Sequence, residues 1–371
     1  MKTTTTSIPA LNRRKHFKIL DGLRGLAAIS VVIFHFMEFV KPDYKDNFIA
    51  HSYLAVDFFF CLSGFVIAYA YDSRIKDIGI ITFLKLRLIR LHPMVIFGAI
   101  IGVLAFVFDP YSNLFNVYGS KETVLMFFSS CFMIPYAVVQ ERYFNIFHLN
   151  PPTWSLFWEY VANIAYVLVL FRLKKYTLLI ATIFAAIILV YASYDGNYLG
   201  IGWSGNNFLG GGARILFSFL AGMLVYRSNF IIKNKLGFPL LCVLLFLAFI
   251  FPFIENLNWI IDPIIVIFYF PVIIALGAGA TLHKSLEKTC DWSGEISYPL
   301  YMVHYPFLWM FYSAIEAHKI PENYMTLIVI FGTIALIIFA HAIMVYIDRP
   351  IRKMLRKQVK KKQSHLVLAK Q

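Results

Sequence analysis

The chain has 371 residues, 60% of them apolar and only 15% charged, with a formal net charge of +14 and a mean hydropathy of +0.69. That balance excludes an ordinary soluble globular domain, and runs of about 18 or more mostly apolar residues between Leu20 and Ile347 exclude a barrel of short alternating strands. The expectation is an all-α fold, a polytopic transmembrane helix bundle of about ten spanning helices.

The positive excess lies at the termini and in short loops, which fits the positive-inside rule better than a nucleic-acid surface, so no nucleic-acid partner is expected. Cys61, Cys131, Cys242 and Cys290 lack metal-ligand spacing, so neither zinc nor disulfides are expected. Three regions follow: a leader at 1–18 that is cytoplasmic on charge grounds, a transmembrane domain at 19–348 and a basic cytoplasmic tail at 349–371. The first apolar run is too long for a cleaved signal and has no small-residue cleavage site, so it is expected to remain as a helix.

That run, Leu20 to Val40, carries Arg24 and His35 eleven positions apart. At about 100° per residue they return to nearly one face, roughly 16 Å apart along the axis. Ionisable residues inside a membrane are costly and face a bundle interior or a watery cavity, which makes both functional candidates. A plain interhelical hydrogen bond is the competing role for His35.

A second span, about Ser52 to Tyr71, holds Asp57 near its outer end and the small pair Ser63 and Gly64. Next comes FLKLRLIRLHP, Phe83 to Pro93, before a third span at about Met94 to Phe108. Arg87 and Arg90 are three apart on one helical face. They suit either a lipid-anchoring amphipathic helix or a site for a phosphate-bearing ligand. The stretch from Glu122 to Gln140 is weakly apolar and broken by Ser129, Ser130 and Pro135, so it reads as re-entrant or interfacial. With that choice, later spans from Asn150 to Ile347 place every basic loop and both termini on the cytoplasmic side.

Glu159 is the one carboxylate in the span after Pro152. The topology sets it in the outer half with His35, where a carboxylate holding a histidine would make a general base. A structural ion pair is the alternative. Arg24, Arg87 and Arg90 fall together near the inner surface, a credible anion site.

LDGLRG with His35 (Leu20 to Gly25), VDFFFCLSGFVIA (Val56 to Ala68), RLIRLHP (Arg87 to Pro93), PPTWSLFWE (Pro151 to Glu159) and ISYPLYMVHYP (Ile296 to Pro306) occur in that order. Together they resemble the acyltransferase 3 family of integral membrane O-acyltransferases. The resemblance implies transfer of an acyl group, most often acetyl from acetyl-CoA, to a hydroxyl of a cell-envelope glycan or glycolipid such as a lipopolysaccharide O-antigen, in the bacterial inner membrane. It implies that His35 is the base or transient acyl carrier, Arg24 its essential partner, Arg87 and Arg90 ligands of the coenzyme phosphates, and Glu159 the support of the histidine. Tyr301 and His304 match the late block as acceptor-site or packing residues. A proton-coupled transporter using Arg24, His35 and Glu159 is the rival from another class.

Overall fold

A computed structural model describes residues 16–318 and 320–368. All regular structure among them is helical, with only isolated β-bridges such as Tyr136 to Phe147. Leaving aside single turns such as Ile75–Ile78, the helices in chain order are α1 (Lys18–Val40), α2 (Ala55–Tyr71), α3 (Ile80–Val107), α4 (Leu114–Phe132), α5 (Thr153–Leu168), α6 (Lys175–Asp195) and α7 (Phe208–Arg227). Then follow α8 (Gly237–Phe249), α9 (Asn258–Gly279), α10 (Glu287–His318), α11 (Glu322–Ile343) and α12 (Arg349–Leu368). Most of the leader lies outside the described residues.

Seven helices among the described residues are long and apolar enough to cross a membrane, fewer than the ten passages expected. They are α1, α2 with its leading turn, α3, α6, α7, α9 and the rod of α11 and α12. At 23 residues α1 is about 35 Å long, against a hydrocarbon core of about 30 Å. The sequence count ran higher because α5 has only 16 residues and α8 only 13, while the tyrosine-rich α10 is not apolar enough. Large apolar side chains such as Ile180, Ile183 and Phe184 on α6 and Ile330, Phe331 and Ile338 on α11 stand exposed, as lipid-facing surfaces do.

One further boundary differs from expectation. The basic stretch and the third span form one helix, because Pro93 sits inside α3 without ending it. At the other end of the chain α11 passes through a π turn at Met344–Asp348 directly into α12, so the described part of the basic tail is helical.

The segment read as re-entrant begins as a helix, α4, kinked where Gly119 takes φ 72°. It turns irregular after Phe132, and residues 145–156 are all buried. The groove that receives them is cut by Gly98 and Gly102, four apart on one face of α3. A Cβ at Gly98 would stand 2.3 Å from Asn150 Nδ2, and one at Gly102 would stand 2.2 Å from the Leu149 carbonyl. As a result α5 starts within the bundle rather than at its surface.

Two helix pairs touch backbone to backbone. A Cβ at Gly222 of α7 would stand 1.8 Å from the Cys61 carbonyl of α2, and one at Gly64 would stand 2.1 Å from that of Phe219. Helices α1 and α10 run parallel in the same intimate way: Lys18 donates to Glu287 at 2.8 Å and Asp291 at 3.0 Å near one end, and the His35 ring stacks on His304 further along. A Cβ at Gly25 would stand 1.8 Å from Ser293 Oγ, and one at Gly294 would stand 2.5 Å from Asp21 Cβ. Small residues at such crossings are how helices associate where apolar burial gives no advantage over lipid.

Candidate active site

Because α1 presses on α10, the polar groups of α1 find their partners there and in the loop that follows. His35 Nδ1 lies 2.5 Å from Glu38 Oε2, one turn further along, and Tyr44 donates to the other oxygen, Glu38 Oε1, at 2.6 Å. An ionised carboxylate can only accept, so Glu38 draws the proton to Nδ1 and leaves the Nε2 lone pair of His35 bare. The imidazole is walled by His304, whose ring is 5.5 Å away and near parallel at 22°, and by the edge of Tyr305 at 4.8 Å. The His35 side chain keeps 20% exposure, so it is lined but not sealed.

His304 is fully buried and donates Nδ1–H to the Leu300 carbonyl at 3.1 Å, which leaves its Nε2 a buried acceptor without a partner. The Tyr301 hydroxyl is engaged with Ser155 Oγ at 2.9 Å, joining α10 to α5. Of these two candidates only His304 therefore lies against His35 with an unused polar atom.

Toward the start of α1 stands the second cluster. Arg24 donates to the Gly294 carbonyl at 2.6 Å and Ser297 Oγ at 3.0 Å, and pairs with Asp21 at 3.1 Å. Arg90 lies within electrostatic range of Arg24, Arg87 and Arg352, with Asp348 the one carboxylate in that set. Asp348 is itself paired with Arg352. Arg87 pairs with Glu159 at 2.7 Å, and Ser63 donates to the same carboxylate oxygen at 3.1 Å. Among the described residues Arg90 makes no hydrogen bond, so its guanidinium fork is the unspent one in a group of four.

This corrects the expected pairing of Glu159 with His35. The buried start of α5 carries Glu159 down to the guanidinium level, and Glu38, three residues after His35, takes the place against the imidazole. The i,i+3 spacing of His35 and Glu38 was the available signal. Arg352 is likewise an addition, legible only as one of many basic residues in the tail.

A third polar group serves the architecture. Arg214 grips both oxygens of Asp57, donating from Nη2 to Oδ2 at 2.6 Å and from Nε to Oδ1 at 3.2 Å, and it also donates to the carbonyls of Ile201 and Tyr53. Both side chains are essentially sealed, at 0% and 1% exposure. The pair ties α2 to α7 and to the preceding loop.

These features define a multi-pass helical membrane protein with a carboxylate-held imidazole at one level and clustered guanidinium groups at another. Residues 17–347 match the sequence profile described as "Acyltransferase domain", and the chain belongs to the acyltransferase 3 family. It is 33% identical over 190 residues to "Protein 2 in picA locus" of Rhizobium radiobacter, covering 48% of this chain and 96% of that protein. It is 25% identical over 367 residues to "Peptidoglycan O-acetyltransferase OatA" of Listeria monocytogenes, covering 92% of this chain but 56% of the relative, and 32% identical over 144 residues to "O-acetyltransferase OatA" of Staphylococcus aureus, of which it covers 22%. The chain thus spans about half the length of the Listeria protein. No solved structure matches the chain.

Proposed function

We propose that this chain is a membrane O-acyltransferase that moves an acyl group, acetyl in the simplest case, from acyl-CoA to a hydroxyl of a cell-envelope glycan or glycolipid. Family membership supports the reaction class, and the names of the Listeria and Staphylococcus relatives support O-acetyl transfer. The observation that carries the reading is one helix bearing both parts of the apparatus, Arg24 at its start and His35 with Glu38 some eleven residues later, the latter held by Tyr44 from the loop that follows. Lipopolysaccharide O-antigen and peptidoglycan are both acceptors of the required kind.

In this reading Arg90, flanked by Arg24, Arg87 and Arg352, holds the coenzyme's phosphates, since a free guanidinium fork matches phosphate oxygens two at a time. Bound acyl-CoA would supply the thioester, and the roughly 16 Å between Arg24 and His35 suits its extended arm. His35 Nε2 removes the proton from the acceptor hydroxyl as its oxygen attacks the thioester carbonyl, Glu38 stabilises the imidazolium, and the same proton then goes to the departing thiolate. His304 Nε2 accepts a hydrogen bond from the incoming hydroxyl group or its sugar. Arg24 holds the glycine-lined α1–α10 contact that keeps His35 in line. A basic end that faces the cytoplasm, with both termini there, puts the donor site on the side where acyl-CoA is made, in a bacterial inner membrane surrounded by lipid.

The test is transfer of radiolabelled acetyl from acetyl-CoA to envelope glycan in vesicles bearing the wild type or His35→Ala. The expected outcome is label in the glycan with the wild type and at least a hundredfold less with the variant. Full labelling with His35→Ala would overturn the assignment.

A further inference from the structure

Beyond His35, on the side away from the arginine cluster, the loop between α4 and α5 buries a second cation. Arg142 is 4% exposed, and its Nη2 donates to Ser313 Oγ at 2.8 Å. Its guanidinium carbon sits 4.5 Å over the Trp309 ring and 4.7 Å over that of Tyr312. Nη1 is buried and has no partner. Among the described residues no carboxylate lies within ion-pair distance of it. The two acidic groups in electrostatic range, Asp109 and Glu316, form no ion pair with it, and Asp109 accepts from the Tyr111 N–H at 3.0 Å.

Aromatic faces offset only a small part of the cost of burying a cation, and an unpaired interior charge costs more than they return. Arg142 also lines a narrow cleft together with His148, Trp309, Phe106, Asp109 and Ser112. His148 is 3% exposed, and its Nδ1 is a second buried atom without a partner. Two unspent nitrogens thus border one cleft that opens between α3, α4 and α10.

We propose that this cleft is an acceptor subsite for an oxyanion, a carboxylate or phosphate carried on the glycan that receives the acyl group, with Arg142 as its main ligand and His148 as its second. The inference rests on the acyltransferase reading and deepens it by naming the acceptor class as acidic. Position supports it: Tyr305 bridges the two places, with its ring 4.8 Å from that of His35 and 5.0 Å from that of Trp309. Ser313, the anchor of Arg142, lies nine residues beyond His304, about 13 Å along α10. A charged group in the cleft therefore places a hydroxyl one or two sugar residues away beside the imidazole.

The experiment uses the full chain in lipid nanodiscs and measures binding directly. The probes are a glucuronic-acid-terminated disaccharide, its methyl ester, and the corresponding sugar phosphate. The wild type is expected to bind the acid at least tenfold more tightly than the ester, Arg142→Gln to erase that preference, and Arg142→Lys to restore part of it. Equal binding of the phosphate would mark a general oxyanion site, and weaker binding a carboxylate site. If Arg142→Gln does not fold, the wild type's discrimination between acid and ester decides alone, and Ser313→Ala, which loosens the aim of Arg142, supplies the second variant. A wild type that binds acid and ester alike, or an Arg142→Gln protein that keeps the preference, overturns the subsite. Discrimination by a protein that transfers acetyl to no acceptor would keep the subsite and remove the transferase reading.

Discussion

Replacing Glu38 by glutamine tests the central geometry most directly, because it preserves shape and removes one charge. The carboxylate contacts His35 Nδ1 at 2.5 Å and receives the Tyr44 hydroxyl at 2.6 Å, and both His35 and Glu38 are only about a fifth exposed, so solvent screens the contact weakly. A hydrogen bond to a charged group is worth about 1.5–3 kcal/mol, which at about 1.4 kcal/mol per decade converts to roughly a ten- to 150-fold loss in kcat. The amide adds a second penalty, since its NH2 can face Nδ1 and drive the proton to Nε2, which carries the expected loss toward about 10⁴-fold. The KM for acetyl-CoA should barely move, because the donor phosphates are held elsewhere. Initial rates of acetyl transfer in reconstituted vesicles, with acetyl-CoA varied, separate the two parameters. Glu159→Gln is the control, and it should act on donor KM and folding instead. A Glu38→Gln protein that keeps more than half of kcat, or a Glu159→Gln protein that loses kcat alone, would refute the reasoning.

Arg90→Lys should raise the donor KM about tenfold and leave the melting temperature unchanged, because the fork is lost but no internal bond is; a lower melting temperature with unchanged KM would make Arg90 structural. Asp57→Ala strands the sealed Arg214 and should cost about 3–5 kcal/mol, read as a large fall in thermal midpoint in detergent, and a wild-type midpoint would contradict it. Gly25→Ala should cost about 1–3 kcal/mol by forcing α1 off α10, and Ser293→Gly should restore only part of it, because the Ser293 carbonyl still stands 2.5 Å from the new carbon. Complete rescue would show that the hydroxyl alone was the obstacle.

Much of this was legible in the sequence for simple physical reasons. Apolar runs declare spans because lipid cannot satisfy a bare backbone, and the eleven-residue interval of Arg24 and His35 declares a shared face because helical rotation is fixed. What escaped was set by contacts between distant segments. The pairing of Glu159 with Arg87 depends on how deep α5 begins, and that depth follows from the groove that Gly98 and Gly102 cut for Leu149 and Asn150 on another helix. Arg142 escaped because it lies in an irregular stretch with no period to read. Glu38 was within reach, since its spacing from His35 is local, but a carboxylate so near the end of a span resembles a boundary residue.

The two glycine-lined helix pairs carry a consequence for motion. Helix α1 is riveted to α10 through Gly25 and Gly294, and α2 to α7 through Gly64 and Gly222, so neither seam can part without breaking van der Waals contact along its whole length. Whatever breathing admits a long substrate must then occur beside these rigid slabs, where α3 and α5 meet each other and α10. The fastenings there are separable ones: the Arg87–Glu159 pair and the single hydroxyl bridges from Tyr301 to Ser155 and from Tyr298 to the Leu91 carbonyl. The door of this molecule is hinged on polar latches, and its walls are welded with glycine.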